Sequence, residues 1–205
     1  MPKDLVKKRF LKLNLPIWLG LAIPFIVETY RAFKGDLGAA PAETLNKDTG
    51  VITISFLIAN LYIGALLALL KRKLPFHGFW VSLRRPLGVF TFIYACFHMS
   101  FYILNEGGLN LAIETGLDTT YIQLGLVAFL IIAILAITSN NFFVRKLKAK
   151  KWKQLHRLVY IALILGCIHF YLIEKTEHLW LWLTLTPLVI MQAIRLVSFT
   201  TKAKQ

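Results

Sequence analysis

The stretch RRPLGVFTFIYACFHMSFYI, residues 84–103, sets two arginines in front of a long apolar run that contains one histidine, His98. A second stretch, KKWKQLHRLVYIALILGCIHF at residues 150–170, has a similar order and contains His156 and His169. A helix needs roughly 20 mainly apolar residues to cross about 30 Å of hydrocarbon. Both stretches therefore predict membrane-spanning helices that carry ionisable side chains.

Apolar runs of this kind recur along the chain, in which 57% of the 205 residues are hydrophobic and the mean hydropathy is +0.63. The runs are continuous, whereas the strands of a membrane β-barrel alternate over about ten residues. We therefore predict an all-α polytopic membrane protein that forms a single domain over residues 1–205. The six predicted transmembrane helices lie at about residues 13–33, 51–70, 87–104, 122–138, 158–173 and 179–197.

The net charge of +14 is concentrated in alternate loops. Most basic residues lie in residues 3–12, 71–85, 145–157 and 195–204, and most acidic residues lie in the other loops, of which residues 35–50 form the longest. Positive charge favours the cytoplasmic side of a membrane, so we predict that both termini are cytoplasmic. The pattern argues against a nucleic-acid partner and favours contact with the lipid bilayer and its anionic headgroups.

Two histidines are predicted to lie at the same depth on parallel spans. His98 follows Arg85 by 13 residues and His169 follows His156 by 13 residues, which places each histidine about 20 Å along its helix. Imidazole is a common axial ligand of haem iron. We therefore predict that His98 and His169 bind one haem, although an interhelical hydrogen bond is the alternative role of such a histidine.

His156 is expected near the cytoplasmic end of its span, where it could hold an inner haem. Its counterparts on the third span would be Arg84 or Arg85, which cannot ligate iron, so the second ligand would be His77, a residue other than histidine or a different cofactor. Thirteen residues leave His156 and His169 about 140° apart around a helix. The alternative is an interfacial residue at a helix start.

The remaining polar residues have weaker assignments. Arg84 and Arg85 are candidates for binding a haem propionate or a flavin phosphate, as are Arg157 and Arg195, because a guanidinium suits such oxyanions. Membrane anchoring is the alternative. Glu28 is expected either to accept a quinol proton, to pair with Arg31 or to reach the outer surface. We interpret His77 and His178 as surface histidines. Cys96 and Cys167 are interpreted as packing residues within the spans.

The two quoted stretches resemble the haem-binding membrane subunit of the bacterial periplasmic methionine-sulfoxide reductase system, within the group of ferric-reductase-like transmembrane domains. The segment LGAAP at residues 37–41, followed by Thr49 and Gly50, and the pair Thr138 and Ser139 also resemble this family. The resemblance covers most of the chain, including its length and six-span topology.

This resemblance implies haem b, with the axial ligands His98, His156 and His169, and an association with FMN. It also implies a bacterial inner-membrane location and a periplasmic molybdopterin-containing partner that reduces methionine sulfoxide in oxidised proteins. The electron donor would be the quinone pool or a cytoplasmic flavin reductase. Related oxidases and ferric reductases carry a second histidine where this chain has Arg85, and this leaves inner space for a flavin.

Three functions therefore remain open. The first is an electron-transfer subunit whose partner carries the catalytic site, because neither cysteine is predicted to be exposed as a molybdenum ligand. The second is a free-standing haem reductase for ferric iron or oxygen, although the chain contains no GxGxxG motif for a nicotinamide cofactor. The third is a non-redox transporter or assembly protein.

Overall fold

The computed structural model describes residues 3–70, 73–173 and 179–203, and every regular element in these ranges is an α-helix. In chain order the helices are α1 (Lys3–Lys34), α2 (Pro41–Leu70), α3 (His77–Asn105), α4 (Leu109–Asp118), α5 (Thr120–Ile137), α6 (Asn141–Leu155), α7 (Leu158–Ile173) and α8 (Leu179–Ala203). This agrees with the predicted all-α class.

Several of these helices are long and apolar enough to cross a membrane. They are α2, α3, α5 and the Leu179–Val197 part of α8, while α6 and α7 meet the same criteria as a pair bent by 45°. The described residues thus contain four candidate spans, or five with the bent pair. The first predicted span lies in α1, where Glu28, Arg31 and two prolines interrupt the apolar sequence. The count of six and the side of the termini stay predictions.

Three segments predicted as loops contain helices. In the predicted loop at residues 35–50 the last ten residues are helical, because α2 begins at Pro41. Proline suits the first helical position, where a backbone N–H has no partner within the helix. The short α4 lies between the third and fourth predicted spans. The basic α6 lies in the predicted 139–157 loop, where the Asn140 side chain accepts a hydrogen bond from the Phe143 N–H at 3.0 Å and caps the helix.

Contacts between helices show that neighbours run in opposite directions. The start of α2 meets the end of α3 at His98, and Asn60, further along α2, donates to the Arg84 carbonyl near the start of α3. The start of α5 meets the end of α7 at His169 in the same way. We call the two ends of this bundle the histidine-pair end, which contains His98 and His169, and the arginine end, which contains Arg84 and Arg195.

The core lies where α2 packs against its neighbours. Ile54, Ile58 and Leu61 of α2 pack against Leu181 and Leu188 of α8, and a second cluster joins α2 to α5 and α7. Large apolar side chains on the outer helix faces are exposed, as on α5 and α8. Exposed apolar faces on long helices suit contact with lipid.

Helix α1 is joined to α3 by one buried tyrosine. The Tyr94 hydroxyl accepts from the Phe25 N–H at 3.0 Å and donates to the Leu21 carbonyl at 3.1 Å, so it bridges two groups that would otherwise bond within α1. Pro24 lies at this point, and proline or an inserted side chain commonly distorts a helix. Tyr94 is only 1% exposed, and it lies one helical turn before His98.

Candidate functional site

His98 is held by the backbone of the neighbouring helix. Its Nδ1 lies 2.8 Å from the carbonyl oxygen of Asn46, in the second turn of α2. A carbonyl oxygen can only accept a hydrogen bond, so Nδ1 carries the hydrogen and donates it. In a neutral imidazole the other nitrogen, Nε2, then has its lone pair free, which is the form that ligates a metal.

His169 is held in the same way by a different helix. Its Nδ1 lies 2.6 Å from the carbonyl oxygen of Tyr121, at the start of α5. Because a carbonyl oxygen only accepts a hydrogen bond, Nδ1 carries the hydrogen here too. Two helix pairs, α2 with α3 and α5 with α7, thus each present one imidazole with the same tautomer.

The structure brings these two imidazoles together. Their ring centres are 6.0 Å apart, and the ring planes make an angle of 82°. Two imidazoles that share one metal need a similar separation, because each metal–nitrogen bond is about 2 Å long and each ring adds roughly 1 Å from nitrogen to centre. The donor set and the spacing of His98 and His169 therefore fit a shared iron.

His156 lies at the other end of α7, in the break between α6 and α7. Its Nδ1 lies 3.1 Å from the Trp152 carbonyl oxygen, and its Nε2 lies 3.3 Å from the Ser139 hydroxyl. The Trp152 ring lies against the imidazole, with the ring centres 3.9 Å apart. Nδ1 is thus held by a carbonyl, whereas Nε2 only lies against a hydroxyl that donates its hydrogen to the Leu135 carbonyl at 2.7 Å. Iron ligation by His156 requires Nε2 to move away from that hydroxyl.

The two candidate arginines reach different surroundings. The Arg84 guanidinium packs against Gly64 of α2 and lies near Arg195 of α8 and Tyr160 of α7. Arg85 instead donates to the Asn141 side chain at 2.9 Å, at the start of α6. The structure therefore separates the pair that the sequence treats alike.

Arg84 lies beside a polar group that the sequence did not predict. Arg195 donates to the Tyr160 hydroxyl at 3.3 Å and to the Gln192 side-chain oxygen at 3.4 Å. The Gln192 side-chain nitrogen is buried and has no hydrogen-bond partner among the described residues. Within the same part of the chain, no carboxylate pairs with Arg84. A buried donor and an arginine without a carboxylate partner suit an oxyanion.

The other candidate residues make contacts of their own. Glu28 pairs with Arg31 at 2.8 Å, and Arg31 also contacts Asp48 at 2.6 Å. His77 is half-buried at the first position of α3, and His178 lies outside the described residues. Cys96 and Cys167 are free thiols within apolar helices. Over the described ranges, no three His, Cys, Asp or Glu side chains form a metal-binding group.

Several residues of the site carried no usable signal in the sequence. Asn46 and Tyr121 act through backbone carbonyls, which every residue possesses. Gln192 and Tyr160 are polar residues inside apolar runs, and that is a signal that could have identified them. Ser139 was identified only because the pair Thr138 and Ser139 resembles the family.

Comparison with known proteins identifies the family. Residues 49–167 match the model of the ferric reductase like transmembrane component. The chain belongs to this family. The matched region begins beside Gly50 and ends two residues before His169, and it contains His98 and His156.

Relatives of this ferric-reductase-like family are similar over most of the chain. The protein-methionine-sulfoxide reductase haem-binding subunit MsrQ of Ralstonia nicotianae is 30% identical over 180 residues, which cover 87% of this chain and 81% of that protein. The Brucella anthropi protein of the same name is 35% identical, with coverages of 78% and 72%. The Rhodospirillum rubrum protein is 34% identical, with coverages of 80% and 77%. The resemblance inferred from the histidine stretches is thus confirmed.

The apolar helices and the family together identify a multi-pass membrane protein. Membership of the ferric-reductase-like family and similarity to the MsrQ subunits support a role in electron transfer within the membrane.

Proposed function

We propose that this chain is a haem-binding electron-transfer subunit of the bacterial inner membrane. It passes electrons to a periplasmic molybdopterin-containing catalytic subunit that reduces methionine sulfoxide in oxidised proteins. The relatives are named as haem-binding subunits of a protein-methionine-sulfoxide reductase, and this support comes from similarity over most of the chain. Reduction of methionine sulfoxide takes place on the partner.

The observation that carries the proposal is the pair of imidazoles at the histidine-pair end. His98 and His169 come from different helix pairs, share one tautomer and have ring centres 6.0 Å apart. Haem b bound by them supplies a one-electron carrier inside the bilayer. The chain's own contribution is to fix the two rings with carbonyl hydrogen bonds and to surround them with apolar helices that exclude water.

The arginine end is proposed to bind an oxyanion-bearing part of a cofactor. Arg84, Arg195 and the unpartnered Gln192 nitrogen together suit a carboxylate or a phosphate. A haem propionate or the FMN phosphate provides such a group. In this proposal His156 would hold an inner haem, with its Nε2 turned away from the Ser139 hydroxyl.

The proposed topology, with six spans and cytoplasmic termini, decides on which side of the membrane each end of the bundle lies. The basic segments then place the arginine end on the cytoplasmic side and the histidine pair near the periplasm. Electrons from the quinone pool or from a cytoplasmic flavin reductase enter the chain and leave from the histidine-pair end.

The test uses the full chain purified in nanodiscs. We expect b-type absorption bands in the reduced-minus-oxidised spectrum and a low-spin signal in the oxidised protein. After reduction, the chain should be reoxidised by methionine sulfoxide only when a periplasmic molybdopterin-containing methionine-sulfoxide reductase is also present. Extraction and chromatography measure haem b and FMN per chain.

Two other outcomes would reject this function. A preparation with full cofactor supplementation that remains colourless would favour the transporter or assembly role. Rapid reoxidation by ferric chelates or oxygen without any partner, at a rate that methionine sulfoxide and the reductase do not increase, would favour a free-standing haem reductase.

A further inference from the structure

Two glycines inside apolar helices lie against the two paired histidines. A Cβ atom added at Gly50 of α2 would lie 3.0 Å from both Nδ1 and Cε1 of His98. A Cβ atom added at Gly125 of α5 would lie 2.8 Å from the same two atoms of His169. Both distances are shorter than ordinary van der Waals contact, so alanine at Gly125 would force the His169 ring to shift, and alanine at Gly50 would push the His98 ring by a few tenths of an ångström.

The two glycines occupy the same register relative to the carbonyls that hold the rings. Gly50 follows Asn46 by four residues, and Gly125 follows Tyr121 by four residues. The Cα–Cβ bond in a helix tilts towards the N-terminus, so the side chain at this position lies over the carbonyl one turn earlier. Thr53 and Ser139 illustrate this, because each donates its hydroxyl to the carbonyl four residues before it.

We propose that Gly50 and Gly125 are positioning residues for His98 and His169. By lacking a side chain, each glycine uncovers a helix carbonyl and lets an imidazole from the next helix approach it and donate its Nδ1 hydrogen. The resulting bond orients the ring and keeps Nε2 available for a metal. The positioning role itself does not depend on the proposed function. Only the expected effect on haem binding rests on it.

Other parts of the chain support the specificity of this arrangement. Gly166 lies in α7 one turn before His169, and an added Cβ would have no heavy atom within 4 Å. A glycine in an apolar helix therefore need not face an imidazole. His156, which bonds to the Trp152 carbonyl of its own chain segment, has no glycine of this kind against its ring.

The carbonyl bond also affects the electronic character of the ligand. A donor bond from the distal ring nitrogen raises the basicity of the nitrogen that binds the metal. A more basic ligand stabilises the oxidised iron more than the reduced iron. Alanine at either glycine is therefore expected to weaken haem binding and to raise the midpoint potential of the haem that remains.

The test compares Gly50→Ala and Gly125→Ala with Gly166→Ala as the matched control, all in the full chain in nanodiscs. We expect each of the first two variants to lose at least tenfold in affinity for haem b, or to shift the low-spin signal and raise the midpoint potential. Gly166→Ala should match the wild type in all three measurements. Wild-type affinity, signal and potential in both Gly50→Ala and Gly125→Ala would overturn the proposal.

A second measurement is independent of haem and of stability. In haem-free protein labelled with ¹⁵N-histidine, wild type and Gly166→Ala should show Nδ1-protonated, exchange-protected signals for His98 and His169. The Gly50→Ala variant should lose the His98 signal, and Gly125→Ala should lose the His169 signal. Reduced thermal stability with both signals intact indicates a packing role and overturns the inference. If wild type shows the signals but binds no haem, the proposed function fails while the positioning role stands.

Discussion

Each end of the bundle contains one histidine from α7 or from the residues just before it, His169 at one end and His156 at the other. The two imidazoles have different surroundings. At the histidine-pair end, His98 and His169 each donate Nδ1 to a carbonyl of a neighbouring helix. In the part of the chain that the structure describes, no hydrogen bond engages either Nε2. At the arginine end, His156 Nδ1 bonds to a carbonyl of its own chain segment, the Ser139 hydroxyl lies 3.3 Å from Nε2, and the Trp152 ring covers one face.

This difference separates a preorganised ligand pair from a histidine that must rearrange. A metal that binds between His98 and His169 finds the tautomer and spacing already set, and little conformational freedom is lost on binding. The arginine end offers positive charge and the unpartnered Gln192 side-chain nitrogen instead of a matched second imidazole. The bundle therefore has one end suited to iron and one end suited to an oxyanion.

The largest expected effect comes from removing one member of the pair. His98→Ala and His169→Ala should each abolish the same low-spin haem, because one imidazole alone leaves the iron with an open axial position. His156→Ala should keep that signal and lose only cofactor bound at the arginine end. Haem content and the low-spin spectrum of the three purified variants measure this contrast.

Two results for the low-spin haem signal would contradict this comparison of the two ends. A full bis-histidine spectrum in His98→Ala or in His169→Ala would show that the two rings do not share an iron. Loss of the same signal in His156→Ala would show that the two ends form one site.

The next effect concerns the two adjacent arginines. Arg84→Gln should lower the affinity for an oxyanion-bearing cofactor by about ten- to a hundredfold, since a charge-assisted hydrogen bond contributes about 1.5–3 kcal/mol. Arg85→Gln is the matched control, because the Arg85 side chain bonds to Asn141 at the start of α6. Separate titrations of haem b and FMN into cofactor-depleted protein measure the affinities and identify the cofactor.

Equal losses in Arg84→Gln and Arg85→Gln would contradict this assignment and favour general electrostatic anchoring. The signal of the His98–His169 pair should be unchanged in both variants. A change there would mean that the arginine end influences the opposite end of the bundle.

The sequence predicted the elements that depend on side-chain pattern. Continuous apolar runs predicted the membrane helices, and counting 13 residues along two parallel spans predicted that His98 and His169 lie at one depth. The proximity of the two rings in the structure is consistent with that count. Their role as ligands remains the proposal above.

The sequence could not predict the features that depend on backbone or on local packing. Gly50 was placed in a loop, because the polar residues between 43 and 49 hide the early start of α2. The carbonyls of Asn46 and Tyr121 have no side-chain signature. The different environments of Arg84 and Arg85 follow from where α6 and α8 pack, which adjacent identical residues cannot reveal.

A smaller effect is expected from the tyrosine that supports the histidine-pair end. Tyr94→Phe removes two hydrogen bonds to α1 and should lower the free energy of unfolding by about 1–2 kcal/mol. Tyr102→Phe is the matched control, because Tyr102 makes a single bond to the Ala112 carbonyl, and it should cost about half as much. Thermal unfolding in nanodiscs compares the two variants. An equal or greater loss in Tyr102→Phe would show that the bridge to α1 contributes little.

The smallest effect is expected at His156, and it tests whether the arginine end holds its histidine loosely. The Ser139 hydroxyl lies 2.7 Å from the Leu135 carbonyl and 3.3 Å from His156 Nε2. Because a hydroxyl has one hydrogen and the carbonyl contact is shorter, the imidazole contact is the weaker of the two. Ser139→Ala should therefore destabilise the fold by only about 0.5 kcal/mol more than Ser100→Ala, whose hydroxyl bonds only the carbonyl four residues before it. Thermal unfolding of both variants measures this difference. A difference above about 2 kcal/mol would mean that His156 is fixed by Ser139 more firmly than one neutral hydrogen bond allows, and the contrast between a preorganised pair and a histidine free to rearrange would no longer hold.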